Sequence, residues 1–200
     1  MSFIEIIDGN GGGKRASVNR YNELLVQAES IPSEASQAER GNSFIIHAEC
    51  HLSASTSGGL MTFTNNDVNN DIEITRIYID THVITPVDLI ITQVFDATIS
   101  NGTDVSSTAV VQKNRGKSNL LDSTVTISDA SSDMTYTGGT QYHAFPVKSM
   151  TGVQRNMNGT NIIPAGKSIT FGFKSAGGAT DGEIISLSVN TIKRLKTDEF

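Results

Sequence analysis

The first residues whose types could do chemistry are a glycine-rich run, Asp8-Gly9-Asn10-Gly11-Gly12-Gly13-Lys14-Arg15, which follows a short apolar stretch. Glycines followed by a lysine are typical of loops that bind phosphates through backbone amides. A Walker A loop needs glycine where Asp8 stands and a hydroxyl where Arg15 stands, and the dinucleotide pattern needs glycine where Lys14 stands. The run therefore predicts a segment with high conformational freedom rather than a nucleotide site.

A second candidate is the run from Phe44 to Leu52, which places His47, Glu49 and His51 at alternate positions. In a strand these side chains share one face, and such spacing can present three ligands to zinc. The other face is apolar and includes the single cysteine, Cys50. A strand with one face in the core explains the same alternation. We favour the strand, with a zinc site as the alternative.

A third candidate is the acidic stretch with Asp67, Asn69, Asp71 and Glu73, which resembles the first half of a calcium loop. An EF-hand would need glycine at position 72 and glutamate at position 78, and the chain has isoleucine and tyrosine there. An Asn/Asp-rich hairpin turn is the favoured interpretation, and an irregular calcium site is the alternative.

Nucleophilic catalysis has little support in the sequence. There is no Gly-x-Ser-x-Gly motif, and His82 and His143 have no recognisable partner spacing. The Asn-Gly-Thr sequences at Asn101 and Asn158 match a glycosylation sequon but are favoured as turns. We assign no catalytic, cofactor-binding or metal-binding residue and predict a protein that is not an enzyme. A glycan hydrolase or esterase is the alternative.

Composition predicts an all-β protein, because only 18% of residues are charged while Ser, Thr, Asn and Gly are abundant. Short strands separated by polar turns favour an antiparallel β-sandwich, jelly-roll-like, over residues 43–200. The sequence of residues 1–42 predicts an extended N-terminal arm that packs on a neighbouring subunit. A helical turn is expected just before Gly41. The predicted strands cover residues 44–52, 59–66, 71–84, 88–99, 106–113, 123–128, 142–148, 168–175 and 183–195. The predicted turns are Asn101-Gly102, Asn158-Gly159 and Pro164–Lys167.

Charge and hydropathy exclude two classes of partner. The net charge of −6 and the isoelectric point near 5.1 argue against nucleic acid. No apolar run is long enough to span a bilayer, and the N-terminus lacks the pattern of a signal peptide. One cysteine cannot form an intrachain disulfide, which fits synthesis in a reducing host cytoplasm.

Three segments, "GGGKRASVNRYNELLVQAES", "AERGNSFIIHAECHLSAS" and "GGLMTFTNNDVNNDIEITRIYI", precede a closing β run, "GEIISLSVNTIKRL". Their order resembles small virion proteins of tailed bacteriophages, best over residues 10–80. The resemblance implies a β-sandwich structural protein on the head or tail and carries over no catalytic residue.

Together these observations predict a bacteriophage virion protein without enzymatic activity or cofactor, most simply a capsid decoration or cement protein. It would bind the major capsid protein or other virion proteins, as a trimer, and stabilise the head shell. A tail, neck or fibre-base protein is one alternative. A carbohydrate- or receptor-binding module is another, with Tyr78, Tyr136 and Tyr142 as its candidate aromatic residues.

Overall fold

The computed structural model describes residues 17–18, 24–25, 37–53, 55–82, 88–114, 116–117, 119–129, 132–148, 151–175, 177–178 and 183–195. The chain divides into two compact units, Met1–Pro32 and Ser33–Phe200. Within the first unit, Ser17–Val18 (β1) pairs antiparallel with Leu24–Leu25 (β2). Most of the predicted arm lies outside the described residues, and its boundary at residue 42 stays a prediction.

The described part of the second unit consists mainly of antiparallel strands. They are Ser43–His51 (β3), Ser57–Asn65 (β4), Asn70–His82 (β5), Leu89–Phe95 (β6), Thr98–Ser100 (β7), Thr103–Asp104 (β8), Val110–Gln112 (β9), Ser123–Ile127 (β10), Thr135–Thr137 (β11), Thr140–Val147 (β12), Gly152–Ile163 (β13), Ser168–Ser175 (β14) and Ile184–Leu195 (β15). Residues 37–39 and Ser106–Ala109 are helical. The prediction of an all-β antiparallel sandwich is confirmed.

The strand order is that of a jelly roll. One sheet has the order β12-β6-β14-β4-β10-β8, and the other has the order β13-β5-β15-β3-β9. Among the described strands, eight long ones form the jelly roll: β3, β4, β5, β6, β12, β13, β14 and β15. The first pairs with the last (β3 with β15) and the second with the seventh (β4 with β14). The third pairs with the sixth (β5 with β13) and the fourth with the fifth (β6 with β12). A single hairpin folded back across two sheets gives this pairing, and it defines the eight-stranded jelly roll.

The segment between β6 and β12 adds strands to both sheets. β10 pairs with β4 and β8 pairs with β10 in one sheet, while β9 pairs with β3 in the other. Between them these strands cover the edges that β3 and β4 would otherwise expose, which limits unwanted strand pairing there. The small β11-β7 sheet belongs to the same segment.

The core lies between the two sheets and follows the alternation of the sequence. In β3, Phe44, Ile46, Ala48 and Cys50 are buried while His47, Glu49 and His51 are exposed, as predicted. The other long strands of the two sheets contribute fully buried side chains such as Phe63, Ile72, Ile77, Ile79, Ile91, Phe171 and Leu187. Burying each such side chain contributes roughly 1.5–3 kcal/mol, so the alternation is the main source of sheet stability.

Two local predictions were wrong in part. Residues 106–109 form a helical turn instead of a strand, with Ala109 N donating to Val105 O at 2.9 Å. A local turn precedes it, in which Asp104 Oδ1 accepts a hydrogen bond from Ser106 N at 2.9 Å. Asn158-Gly159, predicted as a turn, lies inside β13. The pairing with β5 shifts register between Asn156 and Asn161, so the extra residues form a bulge in the strand and the chain does not reverse there.

The Asn101-Gly102 turn has the predicted conformation but not the predicted hairpin. Asn101 and Gly102 have φ values of 63° and 93°, which suit these two residue types. The strands on either side do not pair with each other, since β7 pairs with β11 and β8 pairs with β10. The Pro164–Lys167 turn is confirmed, with Lys167 N donating to Pro164 O at 3.1 Å.

Candidate functional site

The His47, Glu49 and His51 side chains lie on the exposed face of β3, opposite the core. His47 Nδ1 and Ser188 Oγ are 2.7 Å apart and share a hydrogen bond across the β3–β15 pair. Over the described residues, no group of three or more His, Cys, Asp or Glu side chains could hold a metal ion. The arrangement is that of a solvated outer face of the sheet.

Cys50 is fully buried, and its Sγ donates to Leu60 O at 3.2 Å. Burial raises the pKa of the thiol to about 12, although a backbone hydrogen bond at Ser128 acts in the opposite direction. A thiol that stays protonated at neutral pH is a poor nucleophile, so Cys50 acts as a small core residue.

The acidic stretch after β4 forms a tight turn with its own internal partners. Asp67 accepts hydrogen bonds from Asn69 N at 3.0 Å and from Asn70 Nδ2 at 3.0 and 3.1 Å. Lys193 Nζ lies 2.8 Å from Asp67 Oδ2, and Arg194 forms an ion pair with Glu73. Protein cations therefore neutralise these carboxylates, and the hairpin-turn interpretation accounts for their geometry.

The three candidate tyrosines do not form one aromatic platform. The Tyr78 hydroxyl accepts a hydrogen bond from Arg76 Nη1 at 2.9 Å on the five-stranded sheet. Tyr136 packs against Gly172 of the six-stranded sheet, and its hydroxyl is 3.2 Å from Thr92 Oγ1. Tyr142 is 40% exposed on β12, where partial burial still raises the pKa of its hydroxyl.

The described residues form a polar cleft of about 430 Å³ at one end of the sandwich. Its lining comes from the chain entering β3, the start of β5, the segment before β10 and the end of β15: Gln37, Arg40, Asn42, Asn70, Asn119, Leu120 and Lys193. The cleft thus lies where the chain enters and leaves the jelly roll. No described helix is long and apolar enough to cross a membrane.

One wall of the cleft is a helix C-terminus closed by a Schellman motif. Gly41 N donates to Ala38 O at 3.0 Å and Asn42 N donates to Gln37 O at 2.7 Å, the two hydrogen bonds that define this motif. Gly41 has a φ of 79°, a conformation that glycine adopts without strain. A side chain at this position would also lie 2.7 Å from Lys117 Cβ. The predicted helical turn before Gly41 is thereby confirmed.

The segment after β9 holds this wall in place. Gln112 Nε2 donates to Gly41 O at 2.7 Å, and Asn119 Nδ2 donates to Arg40 O at 3.2 Å and to Asn42 Oδ1 at 3.3 Å. On the other side, Lys193 N donates to Asn42 O at 2.8 Å. Side-chain amides and the β15 backbone therefore fix the cleft's shape before any ligand arrives.

The cleft keeps unused hydrogen-bonding groups and one unneutralised charge. Within the described part of the chain, the Arg40 guanidinium and Gln37 Nε2 make no hydrogen bond, while Asn42 Nδ2 donates to Gln37 Oε1 at 3.2 Å. The Lys193 charge is balanced by Asp67. Leu120 is 82% exposed at the cleft, and Val68, in the adjacent β4–β5 turn, is 76% exposed. The described lining thus combines a cation, amides and one apolar side chain, Leu120.

Sequence reasoning did not find this cleft, since its residues are far apart in the chain. Two signals pointed towards it. One is Gly41 after a helical turn, and the other is the basic cluster Lys113-Asn114-Arg115-Gly116-Lys117. Asn114 Nδ2 donates to Glu39 O at 3.4 Å and Lys117 packs on Gly41, so the structure brings these two residues of the cluster to the helical turn.

No protein-family model matches this chain, and no curated protein matches it. Among solved structures, a chain from Desmodium yellow mottle tymovirus is similar over 100% of this chain and 99% of that chain, with 11% identity and a TM-score of 0.29. A similarity at this level carries no argument about function. The jelly-roll assignment depends on the strand order alone.

Proposed function

We propose that this protein is a bacteriophage virion structural protein without enzymatic activity, and specifically a capsid decoration protein that binds and stabilises the head shell. The observation that carries the proposal is the complete jelly-roll strand order with both sheets widened by the segment between β6 and β12. Jelly rolls occur in viral capsid domains as well as in lectins and cupins, so the fold alone does not choose between them.

The interior favours a structural role over catalysis. The described core is closed by apolar side chains from both sheets, and the buried thiol of Cys50 is held protonated. Asp67 and Glu73 are paired with Lys193 and Arg194, and His47, Glu49 and His51 lie on the exposed face of β3. Such a surface suits contacts with other proteins.

The proposed partners are the major capsid protein or other virion proteins, with trimeric assembly that makes weak contacts multivalent. Residues 1–42 are the proposed docking arm. Its last residues, 40–42, are already hydrogen-bonded to the sandwich, so the part before them would gain contact area as it binds. Sedimentation velocity of the purified full chain measures the oligomer. A monomer at all concentrations would contradict the proposed trimer. It would not test the virion role, which immunogold labelling tests separately.

Immunogold labelling of intact virions with an antibody to this chain tests the main proposal. Label spread over the head supports the decoration role. Label confined to the tail or neck contradicts that role and supports the alternative of a tail-associated structural protein. Virions without label contradict the virion proposal altogether.

A carbohydrate-binding module is the second candidate, because jelly rolls include lectins and Tyr142 is 40% exposed. A glycan-binding titration of the wild type against Tyr142→Ala tests it. Binding that Tyr142→Ala abolishes would favour this candidate over the decoration role.

A further inference from the structure

We infer that the cleft between the helical turn at residues 37–39 and the end of β15 binds an extended acidic segment of a partner protein. This inference rests on the proposed virion role, since it names the chemistry by which a virion partner is recognised. The cleft is defined by Gln37, Arg40, Asn42, Asn70, Asn119, Leu120 and Lys193.

Charge complementarity is the first argument. The chain as a whole carries −6, yet the described lining residues of the cleft include Arg40 and Lys193 and no acidic side chain. Asp67 neutralises Lys193 at 2.8 Å, so among the lining residues that the structure describes the Arg40 guanidinium is the charge available to a ligand. An arginine in this position can bind a carboxylate through two parallel N–H donors.

The uncharged groups distinguish a peptide from other anions. Asn119 and Asn70 use their Nδ2 atoms as donors within the protein, to Arg40 O and Asn42 Oδ1 and to Asp67, so their Oδ1 atoms can accept hydrogen bonds. A peptide backbone supplies the N–H donors that match these acceptors, whereas a phosphate chain supplies acceptors only. Gln37 Nε2 remains as a donor for a peptide carbonyl.

The apolar side chain and the volume agree with this ligand. Leu120, 82% exposed at the cleft, offers a contact for an apolar residue between acidic ones. A volume of about 430 Å³ falls within the usual range of binding pockets. The network of Asn42, Asn119 and Gly41 already holds the wall, so little ordering cost accompanies binding.

Fluorescence anisotropy of a fluorescein-labelled peptide of alternating glutamate and leucine tests the inference on the purified full-length protein. The matched peptide with glutamine in place of glutamate controls for apolar binding. We expect the wild type to bind the glutamate peptide, with affinity that falls as salt rises. Arg40→Glu should weaken binding about tenfold or more, and Arg40→Gln should weaken it less, since it keeps donors without the charge.

Lys174→Glu is the matched charge-reversal control. Lys174 is an exposed lysine near the far end of β14, about 20 Å along the strand from the end that carries the cleft. The Lys174→Glu variant should bind the glutamate peptide with the affinity of the wild type. Circular dichroism melts of each variant confirm that the fold is retained, since the Arg40 backbone contacts do not depend on its side chain.

Three outcomes would overturn the inference: equal binding of the glutamine peptide, an equal loss in Lys174→Glu, or better competition by an oligothymidine strand than by the glutamate peptide. Virion label without peptide binding overturns this inference and leaves the proposed function intact. If the protein binds the glutamate peptide but virions carry no label, the virion role is contradicted and the acidic-peptide specificity of the cleft is still supported.

Discussion

The ion pair between Lys193 and Asp67 gives the sharpest test of how burial determines stability beside the cleft. Its atoms are 2.8 Å apart and its side chains are 14% and 11% exposed, whereas the Lys167–Asp96 pair, at 2.6 Å, has side chains 48% and 42% exposed. The two pairs have similar geometry and differ in burial. Breaking a buried pair costs about 3–5 kcal/mol, and exposed pairs contribute about 0–1 kcal/mol.

The expected cost of Lys193→Met lies between these limits, at about 2–3 kcal/mol. Asp67 would keep its hydrogen bonds from Asn69 N and Asn70 Nδ2, which partly offset the cost of a buried carboxylate without its cation. Lys167→Met is the control and should cost less than about 0.5 kcal/mol. Urea denaturation followed by circular dichroism measures both, and a slope near 2 kcal/mol/M predicts a midpoint about 1–1.5 M lower for Lys193→Met.

The pair also predicts a dependence on pH. Burial raises the pKa of Asp67, but hydrogen bonds from Lys193, Asn69 and Asn70 outweigh it and lower the pKa below the ordinary 3.8. A carboxyl with a lowered folded-state pKa stabilises the protein above its unfolded pKa and loses that contribution as the pH falls through the folded value. The loss in free energy of unfolding caused by Lys193→Met should therefore become smaller below about pH 4. Equal costs for the Lys193 and Lys167 variants, or a loss independent of pH, would refute the reasoning.

Three further predictions follow from buried groups. Gln93→Met should raise the free energy of unfolding by about 2 kcal/mol, because both amide atoms of this fully buried side chain lack partners in the described structure. Exposed Gln141→Met is its control in the same urea assay, and a destabilised Gln93→Met would indicate a buried water instead. Gly172→Ala should cost about 1–3 kcal/mol, since its Cβ would lie 2.5 Å from the Tyr136 ring. An undiminished cost in a Tyr136→Ala background would exclude that contact as the cause. Glu183→Gln should stabilise the protein at pH 7 but not below pH 4.5, because burial raises the pKa of Glu183 and penalises its ionised form above the ordinary 4.5. An equal gain at pH 4 and pH 7 would contradict this.

Predictions that depended on local alternation were confirmed. The β3 segment alternates so regularly that its buried and exposed faces follow from the sequence alone. The Gly41 helix end and the Pro164–Lys167 turn were also predictable, because they depend on residues close together in the chain. Where local signals were mixed, prediction was weaker: residues 106–109, predicted as part of a strand, form a helical turn next to Asp104.

The sequence by itself determined the fold class, the buried face of each strongly alternating strand and the absence of any recognised catalytic motif, since each is set by residues within a few positions of one another. Only the tertiary structure decided the jelly-roll strand order, the widening of both sheets and the place of the cleft. These depend on pairings such as β3 with β15, which join distant parts of the chain. Arg40, Asn119 and Lys193 meet for the same reason, because the two ends of the jelly roll and the segment between β6 and β12 become neighbours only when the sheets form.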